Sequence, residues 1–318
     1  MICPVDAAEA TRPANDFAVV RFEMHASLLM NLHHMLYDAG RHPGRLESAP
    51  WAAAADPQDL AALRDAAASY GRQYASRDLL FDDGMRDIKH ALSAAGDEQT
   101  NPRGLGLPPA LEATLASAAP AYARAAWPAQ RAVDRARMGE TQALEQRYGT
   151  RIQRRLERIF GQPFPAAIRV DFVVETGSFA GGYTDAPPPQ TVLPAGRPEY
   201  GGPAALEMLW HEASHAGPAD ALEIELNDAI RAARRAPADQ LWHAAQFWAV
   251  GEVVRELLAA DGVDETPYAQ RNGVYRRAWP QWLPLLETDW QRWVEKDGGK
   301  GTRAQAIAAM VARLPAAD

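Results

Sequence analysis

Two histidines and a glutamate carry the chemical signal of this chain. In ALEMLWHEASHAG, His211 and His215 stand four residues apart, so on a helix both imidazoles leave one face, close enough to share an ion. Glu212 lies about a hundred degrees round the helix, beside that face. Neutral imidazoles bind zinc at about 2.0–2.1 Å, and a catalytic zinc keeps a position open to water, from which a neighbouring carboxylate can take a proton. Leu206, Leu209 and Trp210 on the other sides imply a helix packed inside, which would hold the imidazoles in fixed rotamers. The expected chemistry is hydrolysis at a bound Zn2+, with Glu212 as general base.

A third ligand must come from elsewhere. Cys3 is the only cysteine, so histidine and carboxylate are the available donors. The metzincin continuation HxxGxxH is absent, because Pro218 and Ala221 occupy the places of its glycine and third histidine. The segment DQLWHAAQFWAVGEVVRELLAA is apolar on nearly every side and reads as a buried helix, yet it carries Glu252 and Glu256. A buried carboxylate needs a partner, and a divalent cation is one that offsets its desolvation. Glu252 is therefore the expected third ligand. Glu256, one turn on, is placed to accept the second ring N–H of a ligating histidine, and a salt bridge from either acid to Arg255 or another arginine is the alternative. His243 lies nine residues before Glu252, half a turn out of phase, so a regular helix cannot aim both at one ion. It is the rival third ligand, or else a core histidine. Besides the metal, the oxyanion needs a donor, for which His243, Tyr275 and Tyr183 are candidates.

HEASH, followed thirty-seven residues after His215 by an acidic ExxxE pair on a second buried helix, resembles the gluzincin, or thermolysin-like, zinc metallopeptidases. The resemblance spans about residues 139 to 260, and neither the NExxSD nor the WLNEG context accompanies the glutamates. It implies zinc held by His211, His215 and Glu252, orientation of a ligand by Glu256, and peptide or protein substrates. It further implies that the strand QTVLPA pairs with an extended peptide.

The elements around this helix read as mainly α-helical within an α+β class. Residues 1–138 form an N-terminal helical cap region and 139–318 a zincin-like catalytic core. FAVVRFEMHASLLMNLHHMLYDAG reads as an opening amphipathic helix carrying His25, His33 and His34, with core or surface packing the expected role of each. Asp56-Pro57 starts a second helix, and further helical patterns run over about 77–95 and from about 110 through the arginine-rich stretch at 151–158, read as a solvated face. IRVDFVVE alternates as a strand does, and 181–194 folds as an irregular hairpin around DAPPP. Helices follow over about 203–216, 219–236, 238–260 and 303–314, with a tryptophan stripe at 279–293 read as core.

A net charge of −8, from 33 basic and 41 acidic residues, argues against nucleic acid as a partner. No apolar run is long enough to span a membrane and no signal peptide is recognisable, so a cytoplasmic location is the expectation. Two other functions compete with a peptidase: a non-catalytic zinc-binding or scaffold protein that docks a partner through its tryptophans, and a zinc amidohydrolase acting on a non-peptide amide.

Overall fold

The computed structural model describes residues 18–177, 181–295 and 301–317. Cys3 lies outside them. The chain is mainly helical around a small four-stranded sheet. The strands are β1 (Arg21–His25), β2 (Ala167–Val173), β3 (Tyr183–Asp185) and β4 (Gln190–Pro194), in the order β1-β2-β4-β3. β1, β2 and β4 are parallel, with Arg21 opposite Ala167 and Arg169 opposite Gln190, whereas β3 runs antiparallel to β4 with Thr184 opposite Thr191. β4 thus has neighbours on both sides, and the edges are β1 and, next to β4, β3. This corrects the expectation for QTVLPA: its backbone groups are committed to the sheet, and the edge on its side belongs to β3, the three residues Tyr183–Asp185.

The opening segment also differs from expectation. Its first part is the strand β1, and only α1 (Leu28–Arg41) is helical, capped by the Ser27 hydroxyl, which accepts from the Met30 N–H. Pairing with β2 overrides the helical spacing. α2 (Pro57–Gln73) starts as expected, Asp56 accepting from the Gln58 N–H at 2.7 Å ahead of Pro57. α3 (Asp83–Leu92), α4 (Pro109–Ala125) and the 34-residue α5 (Trp127–Phe160) complete this part.

Side-chain alternation along β2 divides the core between the two faces of the sheet. Ile168, Val170 and Phe172 face the layer of α5, α6 (Pro203–Ser214), α7 (Pro218–Ala232) and α8 (Leu241–Ala260), while Val173, with Tyr183 and Val192, joins the layer of α1, α2 and α4. β2 is covered on both faces: Arg169 and the buried Asp171 pair with each other at 2.8 Å, and the strand's remaining side chains are apolar. Each such side chain, removed from water, contributes roughly 1.5–3 kcal/mol. Short helices α9 (Tyr268–Arg271), α10 (Val274–Ala278), α11 (Leu283–Leu285) and α12 (Gln291–Val294) lead to α13 (Arg303–Ala312). The tryptophan stripe is core: Trp290 is buried and donates to the Ala245 carbonyl at 2.8 Å. Arg155 departs from the solvated arginine face by pairing inward with Glu256. No helix among the described residues is long and apolar enough to cross a membrane.

Candidate metal centre

α6 enters the core through Gly202, whose φ of 59° with ψ of −139° suits only glycine, followed by Pro203 in the first turn. Every residue of the helix after Pro203 is buried. His211 and Glu212 sit in its last turns, and His215 caps it in helical conformation. The His211 and His215 rings lie 5.1 Å apart, as i,i+4 spacing requires.

The third imidazole comes from the first turn of α8. His243 stands 5.3 Å from the His211 ring and 5.1 Å from that of His215. One ligand atom from each of the three falls within 4.8 Å of the others, and among the described residues this is the one group of histidines and carboxylates close enough to share an ion. The His211 and His243 Nε2 atoms are 3.4 Å apart. Two nitrogens that both ligate a tetrahedral zinc at 2.0–2.1 Å stand about 3.4 Å apart, so the donor set fits the metal. Burial drives the His211 pKa well below its usual value, that of His215 to about 3 and that of His243 to about 4, with the neighbouring imidazoles pushing His211 and His215 the same way. At neutral pH all three are in the unprotonated form that a metal requires.

The chain matches no family model, no curated protein and no solved structure. What the site can do follows from its geometry, and that geometry is of the HExxH zincin type.

Glu252 and Tyr275 stand elsewhere. Nine positions apart, His243 and Glu252 leave opposite sides of α8. Glu252 turns to Arg255 at 2.7 Å and receives the side-chain amides of Gln291 at 3.2 Å and Gln270 at 3.3 Å. Its burial is compensated by an arginine on its own helix, so no metal is needed to explain it. Glu256 binds Arg155 at 2.7 Å and orients no ligand. The structure thus supplies an imidazole where the gluzincin pattern has a glutamate. Tyr275 is buried behind the cleft, its ring packed against Trp248 and Trp279. The Tyr183 hydroxyl is engaged with His34 Nε2 at 2.6 Å. His33 bonds Tyr70, and His25, on β1, pairs with Asp97. None of the three joins the metal group.

Aromatic rings hold the imidazoles from outside. Phe247 stacks on His211 at 3.9 Å, Trp242 packs edge-on to His215 at 5.7 Å, and Trp279 meets His243 at 5.2 Å. Gln246 ties α8 to the end of α6, donating to the His211 carbonyl at 3.0 Å and to Ser214 Oγ at 2.6 Å. The remaining His211 nitrogen, Nδ1, is buried and has no hydrogen-bond partner among the described residues, so packing rather than a carboxylate sets that ring.

The imidazoles and Glu212 line a cleft of about 740 Å³ whose other walls include Tyr200, Tyr268, Phe247 and the edge strand β3. Tyr200 and Tyr268 come from segments remote in sequence, and no local motif marks them. Glu212 is 4% exposed, and burial raises its carboxyl pKa to about 8 against the opposing hydrogen bond from Thr184. A cation at the imidazoles would draw it back down.

One turn before His211, Glu207 is 1% exposed, and burial raises its carboxyl to about 8 although Oε2 accepts the Tyr268 N–H at 2.8 Å. The folded pKa exceeds the unfolded one near 4.5, so the folded state holds a proton that the unfolded state gives up. Stability is undiminished below about pH 4.5 and falls as pH rises to about 8, by on the order of 4 kcal/mol for this group. Glu212 acts in the same direction. In urea titrations of the metal-free protein, Glu207→Gln is expected to flatten this alkaline loss by roughly half. An unchanged difference between pH 5 and pH 8.5 would show that Glu207 is ionised in place.

Proposed function

We propose that this protein is a zinc-dependent hydrolase that cleaves peptide bonds. The observation that carries the reading is the closure of His211, His215 and His243 on one point beside Glu212, at the wall of an open cleft. Three protein ligands with a carboxylate alongside make a catalytic set, whereas a structural zinc takes four. This favours an enzyme over a scaffold.

His211, His215 and His243 would hold the ion. Zinc bound there supplies a Lewis acid for the substrate carbonyl and brings the pKa of a water towards neutrality. Glu212 moves the protons: with Oε2 held near Thr184, its carboxylate takes a proton from the attacking water and passes it to the leaving nitrogen. Tyr200, which accepts the Gly182 N–H at 2.9 Å, and Tyr268, hydrogen-bonded beside it on the cleft wall, replace Tyr275 as candidate donors to the oxyanion. A peptide rather than another amide is favoured by β3, an edge strand along the cleft whose outer backbone groups suit an extended chain.

Protein purified without nickel resin is expected to carry close to one equivalent of zinc by mass spectrometry. It is expected to cleave members of a peptide library, with activity lost to a chelator and restored by zinc. Stoichiometric zinc with hydrolysis confined to non-peptide amides would replace the peptidase by an amidohydrolase. Zinc far below one equivalent would remove both.

A further inference from the structure

The general base sits at the end of α6, but its side chain is held from the sheet. Thr184 Oγ1, in the middle of β3, lies 2.9 Å from the Glu212 carbonyl oxygen and 3.2 Å from Glu212 Oε2, so its one proton is shared between them. The Thr191 hydroxyl on β4 lies 2.8 Å from Thr184 Oγ1 and can donate to it, completing a short chain that ends on the carboxylate. With Oε2 engaged, Oε1 is the oxygen left for a water in the cleft.

A three-residue edge strand with a ladder on one side is a weak platform. The residues flanking Thr184 point to the opposite face and are fixed there by the N-terminal helices. Tyr183 donates to His34 Nε2 on α1 at 2.6 Å; burial keeps the His34 ring neutral, and with its Nδ1–H given to the Met30 carbonyl at 2.8 Å, Nε2 is the acceptor. Asp185 receives Lys89 Nζ of α3 at 2.5 Å and His90 Nε2 at 2.8 Å, while Lys89 Nζ also lies 4.3 Å from the centre of the Tyr183 ring. Lys89 is fully buried. Breaking a buried pair of this kind typically costs 3–5 kcal/mol, so the brace resists displacement.

We propose that Thr184 is a positioning residue for Glu212, and that α1 and α3 fix β3 so that Thr184 meets it. The N-terminal helices then belong to the catalytic machinery as its support. This rests on the hydrolase reading for its kinetic consequence, not for its structural one.

The test compares Thr184→Val, which keeps the shape and removes the hydroxyl, with Thr184→Ser, which keeps the hydroxyl. Zinc content and KM are expected to be unchanged in both. kcat is expected to fall about 10–100-fold in Thr184→Val and to stay within about threefold of wild type in Thr184→Ser. Tyr183→Phe, which loosens the brace by one hydroxyl, is expected to lower kcat about threefold to tenfold with zinc retained. In crystals of metal-free Thr184→Val, the Glu212 carboxylate is expected to leave the rotamer seen in the wild type. An unchanged rotamer with wild-type kcat overturns the proposal, and so does equal loss in the Val and Ser variants, which would indicate general damage to β3. If the wild-type protein hydrolyses nothing, the hydrolase reading falls, and the crystallographic comparison alone decides whether Thr184 positions Glu212.

Discussion

Replacing Glu212 by glutamine is expected to leave zinc bound in full and to lower kcat by about 10²–10⁴-fold. Glutamine matches glutamate in shape, and its amide oxygen can still receive the Thr184 hydroxyl that lies 3.2 Å from Oε2. The three imidazoles are untouched, because none of them bonds the Glu212 side chain. What disappears is the capacity to take and return a proton. The fold should not suffer: burial already pushes the carboxyl to about 8, so a neutral amide relieves the cost of an ionised group at pH 8 rather than adding one. Zinc by mass spectrometry, thermal unfolding and steady-state kinetics on the same preparation separate the effects. Turnover above about a tenth of wild type would remove Glu212 as general base, and loss of zinc would show that it helps to hold the metal.

The HExxH half of this site was legible because both histidines and the glutamate lie within two turns of one helix, where spacing alone fixes direction. The third ligand was legible only as a choice. Helical phase shows that His243 and Glu252 cannot both face the ion, and the cost of an unpaired carboxylate in an apolar helix points to the buried acid. The partner is Arg255, three residues further on, whose long side chain reaches back over Glu252 while its head stays partly in water. The imidazole, cheaper to bury neutral, took the inward position. β1 shows a different failure. Arg21-Phe22-Glu23-Met24-His25 alternates polar and apolar as a strand should, but it runs directly into α1, whose period is helical, and pairing with a strand nearly 150 residues away decides between them. The helical class, the hairpin at 181–194 and the Asp56 cap depended on local chemistry and could be read. The cleft walls at Tyr200 and Tyr268, and the meeting of Thr184 with Glu212, depend on packing between distant segments and carry no local signature.

His243→Ala is expected to strip the metal under conditions where Glu252→Gln retains it. A zinc site bound with about 10–16 kcal/mol through four ligands draws roughly 3 kcal/mol from each, so losing one imidazole should weaken binding at least a hundredfold. The vacated volume lies among Trp242, Trp279 and the His211 ring, and no second carboxylate or imidazole among the described residues is close enough to replace the lost nitrogen. Glu252→Gln acts on the other side of α8. It removes the charge facing Arg255, which is partly exposed and can turn to water, and it leaves His243 on its own turn. Some loss of stability is expected there, with zinc affinity within a few-fold of wild type. Competition with a chromophoric chelator measures both variants on one scale. The reverse pattern, zinc kept by His243→Ala and lost by Glu252→Gln, would require α8 to rotate half a turn about its axis when the metal binds, moving the carboxylate in and the imidazole out. The packing of α8 opposes this: Gln246 anchors it to the end of α6, Phe247 lies stacked on His211, and Trp290 donates to the Ala245 carbonyl, so such a rotation would break all three contacts at once.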